Sequence, residues 1–390
     1  MRKVEIVIIG GGVVGASVAY HLTKRGKQSV LILESETQQG SGSTGKATGG
    51  VRSQFETEIN IRMSLYSIDF FKHWGFDCGY EPRGYLFFAT DDKQLDYLKA
   101  NVEKQKSLGV TEVEIVDVKT IAKICPILNG EDIVGGSFGA HDGFINPLAV
   151  MKGFTTKALE NGAKIEFETR VLSIETANGK VSAVETSKGR IECEKVILCT
   201  GAFAKDLANT AGIALPVEPQ KRQIVWAKSA NRLPENMPMV IDLGSGFHFR
   251  PAGDFTGNES VKNDEVLFAH PDTTETLSFD TNFDESFIAK VYELAKHRSP
   301  FLFETKPITE KCRAGLYENT PDHHAILGGC DIENLYFANG FSGHGVMHSP
   351  ATGRALSEII LDGKSSFLDV SCLSLARFAK GELLHETAFI

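Results

Sequence analysis

VEIVIIGGGVVGASVAYHLTKRGKQSVLILE, residues 4–34, decides the fold. Its first six residues are a short β-branched run of the kind that fills a buried parallel strand. Gly10, Gly12 and Gly15 follow at once in the order G-x-G-x-x-G. Ala16–Lys24 reads as a helix closed near Gly26, and Ser29–Leu33 as a second apolar strand ending on Glu34. This order makes a βαβ unit of dinucleotide-binding type. Gly10 permits the tight turn, Gly12 lets the backbone approach a pyrophosphate, and Gly15 lets helix and strand pack closely. The helix N-terminus offers unpaired N–H groups and partial positive charge to phosphates. Glu34 can accept from ribose hydroxyls; an acid there argues against a 2′-phosphate, hence against NADP, and leaves NAD and FAD open.

Working outward, Gly40–Gly50 reads GSGSTGKATGG, dense in hydroxyls and backbone donors. Such a loop can wrap a pyrophosphate or a flavin edge. The alternative is a flexible linker, which the return to helical spacing in Glu56–Trp74 opposes. Gly84–Thr90 reads as a strand, Asp92–Leu108 and Val118–Ile124 as helices, and Asp142–Pro147 as a turn before the helix Leu148–Asn161. Strands Ala163–Thr169, Val171–Thr176, Val181–Thr186 and Arg190–Glu192 follow, with turns at Asn178-Gly179 and Lys188-Gly189. Lys195–Thr200 is another buried strand. Pro216–Glu310 is strand-rich, with a helix near Asp284–His297 and a loop over Pro251–Asp264. Then an α/β pattern returns: strand Leu335–Asn339, a second glycine turn at Gly340–Gly345, and a helix Ser349–Asp362 closed by Gly363. A second helix N-terminus aimed at a ligand suits a flavin, whose reduced pyrimidine ring carries negative charge. Plain helix–strand packing is the competing reading.

The whole chain of 390 residues, 42% hydrophobic, supports one large core or two coupled domains. A net charge of -9 invites neither nucleic acid nor anionic lipid. Seven cysteines without a CxxC give neither zinc-ribbon nor iron–sulfur spacing. Their odd number suits reduced thiols and a cytoplasmic location. The basic-then-apolar N-terminus is broken by Gly10, Gly11, Gly12 and Gly15 and lacks a small-residue cleavage site, so it is not read as a signal peptide. No run of about 18 apolar residues occurs, so no membrane span is expected. His323-His324 lacks further ligands at matching spacing, so no metal is expected.

Five blocks carry a resemblance: VIIGGGVVGASVAYHL (7–22), GSGSTGKATGGVRSQF (40–55), KVILCTGAFA (195–204), AGLYENTPDHHAILG (314–328) and GFSGHGVMHSPATG (340–353). Spread over nearly the whole chain, they resemble the D-amino acid oxidase-like FAD-dependent oxidoreductases, and within them the β subunits of L-proline dehydrogenases and sarcosine oxidases. The resemblance implies an α/β fold, α+β in part, of p-hydroxybenzoate hydroxylase-like architecture. A Rossmann-like FAD-binding domain would comprise residues 1–85, 142–215 and 313–365. A discontinuous antiparallel-sheet substrate domain would comprise 86–141 and 216–312, with 366–390 a C-terminal extension.

The implied FAD-binding residues are Gly10, Gly12, Val13, Val14, Gly15, Glu34 and Ser35; Gly42, Ser43, Thr44, Thr48, Gly49 and Gly50; Val171, beside adenine; Cys199, Thr200 and Gly201; Gly315 and Leu316; and Gly343, His344, Gly345, Val346 and Met347, facing the flavin pyrimidine. Arg52 lies in the loop beside the flavin and suits a substrate carboxylate or a flavin edge. The chain also departs from its relatives. Gly315 stands where monomeric sarcosine oxidases attach flavin to a cysteine, with Cys312 three residues away, so non-covalent FAD is expected. Met347 replaces their carboxylate-binding lysine, and Tyr317 the arginine of glycine oxidase-like members. Either carboxylate recognition differs from both, or the substrate lacks the usual carboxylate.

The implied chemistry is oxidation of a small secondary amine or amino acid, proline- or sarcosine-like. A hydride leaves the carbon next to nitrogen for flavin N5, an imine forms, and electrons pass to oxygen, a dye-like carrier or a partner subunit. Catalytic candidates are His270, His248, Tyr317 and Arg52, a histidine being able to orient or deprotonate the amine. Two other readings stay open. One is a flavin electron-transfer subunit of a hetero-oligomer. The other is a hydroxyl-substrate oxidoreductase of glycerol 3-phosphate type, for which the only basic groups found are Lys221-Arg222 and Arg250.

Overall fold

The structure is a computed structural model that describes residues 2–252, 264–272 and 274–387. The strand Arg2–Ile9 lies at the centre of the first sheet, parallel to Val30–Leu33 on one side and Ile191–Leu198 on the other. Leu335–Asn339 extends that sheet in parallel beyond Ile191–Leu198, and Lys164–Glu166 beyond Val30–Leu33. Its central residues Ile6, Val7, Ile8 and Ile32 are fully buried, as expected for a sheet covered on both faces. A hairpin, Val171–Ala177 with Lys180–Thr186, pairs onto Ile191–Leu198. Asn178 and Gly179 both take positive φ at its tip, as a two-residue turn of this hand requires.

The helix Val13–Lys24 begins directly at the first glycine turn, and Gly345–Asp362 directly at the second. The two helices touch where Gly353 meets Ser17: a Cβ on Gly353 would lie 2.3 Å from Ser17 Oγ. Ser17 Oγ donates to the Ser349 carbonyl at 2.7 Å across the same contact. Packing of one helix on the other thus fixes the two turns relative to each other, although more than 300 residues separate them in the chain.

The second sheet is mainly antiparallel, in the order Lys306–Pro307, Glu218–Lys228, Glu265–Ala269, His248–Pro251, Met239–Asp242, Tyr85–Ala89, Gly135–Gly139 and Val113–Val116. Arg313–Asn319 pairs alongside Glu218–Lys228. Leu86, Phe88, Val225, Val240, Phe249 and Phe268 form one apolar face and bury Phe287 and Val291 of the helix Ser286–Arg298. Strand side chains alternate, so Tyr85, Ile241, His248, Ile224 and Tyr317 occupy the other face.

Two sequence expectations change. Arg190–Glu192 and Lys195–Thr200 are one continuous strand, Ile191–Leu198. Glu192 and Glu194 sit on its more accessible side while Ile191, Cys193 and Val196 are buried. The C-terminal helix starts at Gly345 rather than Ser349 and carries Pro350 within it. Most of the expected loop over Pro251–Asp264 lies outside the described residues. All seven cysteines are free thiols, and no helix among the described residues is long and apolar enough to cross a membrane.

Candidate active site

A cavity of about 950 Å³ runs from the first glycine turn to the second sheet. That is the upper end of the range for ligand sites. Every sequence-selected cofactor residue lies on its wall except Gly15. Gly15 acts from behind: a Cβ there would come within 2.0 Å of the Gly10 carbonyl oxygen, so glycine keeps the turn closed. The four catalytic candidates Arg52, His248, His270 and Tyr317 line the same cavity.

At the first turn, the Glu34 carboxylate accepts from the Gly11 amide at 2.9 Å and the Glu36 amide at 3.0 Å. Thr44 Oγ1 accepts from the Val13 amide at 3.1 Å, so the Gly40–Gly50 segment is tied to the helix start. That segment is no linker: Ser43–Lys46 is a turn of helix, and Gly50–Val51 pairs with Gly143–Phe144. At the second turn, the helix Gly345–Asp362 has no side-chain cap, and Gly345, Val346 and Met347 of its first turn reach the cavity. Glu318 accepts from the Gly340 amide at 2.9 Å, and burial lifts its carboxyl to about 7.

The wall fits an extended flavin dinucleotide. Gly42 and Gly201 line it with open space where a Cβ would stand. Thr200 Oγ1 is buried there without a partner among the described residues. Two helix N-termini, each favourable to negative charge, open on one cleft.

The far end is built by the second sheet. His248 Nδ1 lies 2.8 Å from the Gly246 carbonyl, which makes that nitrogen the N–H donor and leaves Nε2 as an acceptor. Burial lowers the pKa of His248 to about 4, so the ring is neutral near pH 7. The pKa of His270 is lowered by burial too, and its Nδ1 has no partner among the described residues. Arg52 is buried, donates to the Gln54 carbonyl at 2.6 Å and stacks 4.0 Å from the Phe55 ring centre. The Tyr317 ring abuts Gly343, where a Cβ would come within 2.5 Å of it. Burial holds the Tyr317 phenol in its protonated form.

Sequence reading missed Tyr85, Arg222 and Glu318 as wall residues. Tyr85 is brought in by Gly50, since any Cβ there would overlap the phenol oxygen, 1.8 Å away. Only tertiary packing reveals this, because the two residues lie in separate sheets. Cys199 is the only cysteine on the described wall, and burial pushes its thiol pKa up. Cys312 points away, with its sulfur against the backbone of Trp226 and Ile308.

A family model described as FAD dependent oxidoreductase matches residues 5–359. The chain is 32% identical to FAD-dependent oxidoreductase domain-containing protein 1 of Xenopus laevis, over 99% of this chain and 84% of that protein. It is 27% identical to the mitochondrial dimethylglycine dehydrogenase of Rattus norvegicus, over 97% of this chain but only 45% of that longer protein. The crystal structure of L-proline dehydrogenase from P. horikoshii matches with a TM-score of 0.88 and 31% identity, over 98% of this chain and 100% of that one.

Proposed function

The chain belongs to the family of FAD dependent oxidoreductases, with FAD as its cofactor, and on that footing we propose that its substrates are amino-acid-like amines and that it oxidises a small secondary amine or amino acid at the carbon next to nitrogen. The similarity to L-proline dehydrogenase and dimethylglycine dehydrogenase supports that class of donor. The observation that carries the reading is the array of Arg52, His248, His270 and Tyr317 at the end of the cavity that starts at the glycine turn.

When bound, the flavin accepts a hydride at N5. The chain's own residues receive the amine. Neutral His248 offers Nε2 to the amine N–H, with no positive charge on the ring to oppose docking. The Tyr317 phenol remains a neutral donor beside the second turn. As the C–H bond gives up its electron pair, the nitrogen loses its proton to solvent and a C=N bond forms. The flavin would be held without a covalent link: Gly315 has no nucleophile, and Lys46 Cβ lies 3.0 Å from a Cβ built there. From a bound flavin the electron pair would then go to oxygen, a dye-like carrier or a partner subunit.

Anaerobic mixing of the holoenzyme with proline, N-methylglycine and other N-alkyl amino acids tests this. Bleaching of the flavin absorbance near 450 nm, on the order of seconds or faster given ordinary turnover, is expected with at least one. If every amine leaves the band intact while glycerol 3-phosphate bleaches it, the hydroxyl-donor reading replaces this one.

A further inference from the structure

Arg222 stands in the middle of the strand Glu218–Lys228, directly opposite Gly315 of the neighbouring strand. Alternation along the strands puts it on the cavity face with Tyr317 and Ile224, while Lys221 points to the other side. The contrast between these two adjacent cations is informative. Lys221 is held by Asp280 at 3.1 Å and Glu275 at 3.7 Å. Arg222 has no ion pair among the described residues: one terminal nitrogen donates to the Lys221 carbonyl at 3.1 Å, and Nε is buried without a partner. Its guanidinium lies 5.3 Å from the centre of the Tyr317 ring, on the cavity wall.

Glu275 and Asp272 favour the charge of Arg222 only through space; a desolvated guanidinium without a hydrogen-bonded carboxylate is costly to maintain, and its planar fork matches one. Arg52 supplies a second cation to the same end from a different element, already stacked on Phe55. Arg52 and Arg222 line the same cavity wall as His248 and Tyr317. Resting on the amine-oxidation reading above, we infer that Arg222 anchors a second carboxylate, so that the site takes an amine with an anionic group on each side of its nitrogen.

Binding and chemistry are separable in the test. Two unreactive thioethers, thiodiacetate with two carboxylates and methylthioacetate with one, are titrated into oxidised holoenzyme and read by the shift in flavin absorbance. In the native protein the dianion binds roughly 10–100-fold more tightly, the range for one charge-assisted pair. Arg222→Gln abolishes that preference and leaves methylthioacetate within about threefold of native, and Arg222→Lys restores part of the preference. Equal affinity for the two ligands in the native protein overturns the inference, and needs no variant to fold. Equal weakening of both ligands by Arg222→Gln, at unchanged flavin content, overturns it as well. Anaerobic bleaching by N-(carboxymethyl)glycine and N-methylglycine is followed in parallel. If neither bleaches the flavin while the thioethers still discriminate, the anchor stands and the reaction assigned above falls.

Discussion

A single carboxyl group shows how the site's scaffold responds to pH. Asp142 is 1% exposed and accepts from the Ser53 amide at 2.6 Å, Ser53 Oγ at 2.8 Å and Gln54 Nε2 at 3.0 Å. Burial outweighs these bonds and lifts its pKa from 3.8 to about 6. A group whose pKa is raised on folding contributes its stability below the unfolded value and loses it as pH climbs through the folded one. Stability from Asp142 is therefore full below about pH 4 and declines through about pH 6, by up to about 3 kcal/mol. Asp142→Asn is expected to flatten the pH dependence of the unfolding midpoint across that window. A variant profile parallel to the native one would show that other groups set the slope. Arg52 begins the turn that this carboxylate holds, so the same residue positions a member of the active-site array. Sequence reading gave Asp142 only as part of a turn, because its donors lie almost 90 positions away.

Among the elements, the helix Glu58–His73 depends on the far end of the chain. Glu386 accepts from the Glu56 amide at 2.6 Å, the Thr57 amide at 3.2 Å, Thr57 Oγ1 at 2.9 Å and Asn60 Nδ2 at 3.2 Å, and so ties down the N-cap residue, which makes no side-chain cap bond of its own. Upstream of it, Arg377 forks onto Asp322 at 2.8 and 2.9 Å and donates to the carbonyls of Leu373 and His324. The arginine pulls the pKa of Asp322 down to about 2 against the burial that would raise it. Stability from this pair is present above about pH 4 and is lost as pH falls toward 2. Arg377→Met is expected to cost about 3–5 kcal/mol in urea unfolding near pH 7, because it strands a buried carboxylate. A loss below about 1 kcal/mol at that pH would assign the pair no structural role. The residues 366–390 that sequence reading set aside as an extension are thus, as far as Thr387, part of the fold. Arg377 and Glu386 lie outside any periodic pattern, so nothing local marked them.

At the scale of the molecule, one cavity draws its wall from both sheets and from two glycine turns that only tertiary packing unites. A ligand spanning it binds the folded state alone and raises stability by about 2.7 kcal/mol at a hundredfold excess over its Kd. Stripped of FAD, the protein is expected to melt several degrees lower and to recover on adding FAD. Acid precipitation should leave the yellow chromophore in the supernatant; colour retained in the pellet would contradict a non-covalent link. The βαβ unit and second turn were legible in sequence because their signals are local: a β-branched run, glycines at fixed spacing, an acid at a strand end. The substrate end was only half legible. His248 and His270 stood out by type and Tyr317 and Arg52 through the family resemblance, whereas Arg222 gained meaning only through strand register and Tyr85 only through packing against Gly50. We propose a division into a cofactor unit around the first sheet and a substrate unit around the second. Arg313–Asn319 pairs within the second sheet yet carries Gly315 and Leu316 to the cofactor wall, so the seam runs along that strand.

The central place of Arg2–Ile9 also governs how the protein can be made. One flank of that strand is completed by Val30–Leu33, but the other waits for Ile191–Leu198, and that strand in turn for Leu335–Asn339. At ordinary elongation speeds of 5–20 residues per second, roughly 10–40 seconds pass before the missing neighbour is even synthesised. For that interval an apolar β-branched ribbon sits on the ribosome with an open hydrogen-bonding edge. Assembly is therefore bound to wait on the late strands, whatever the intrinsic speed of the early helix.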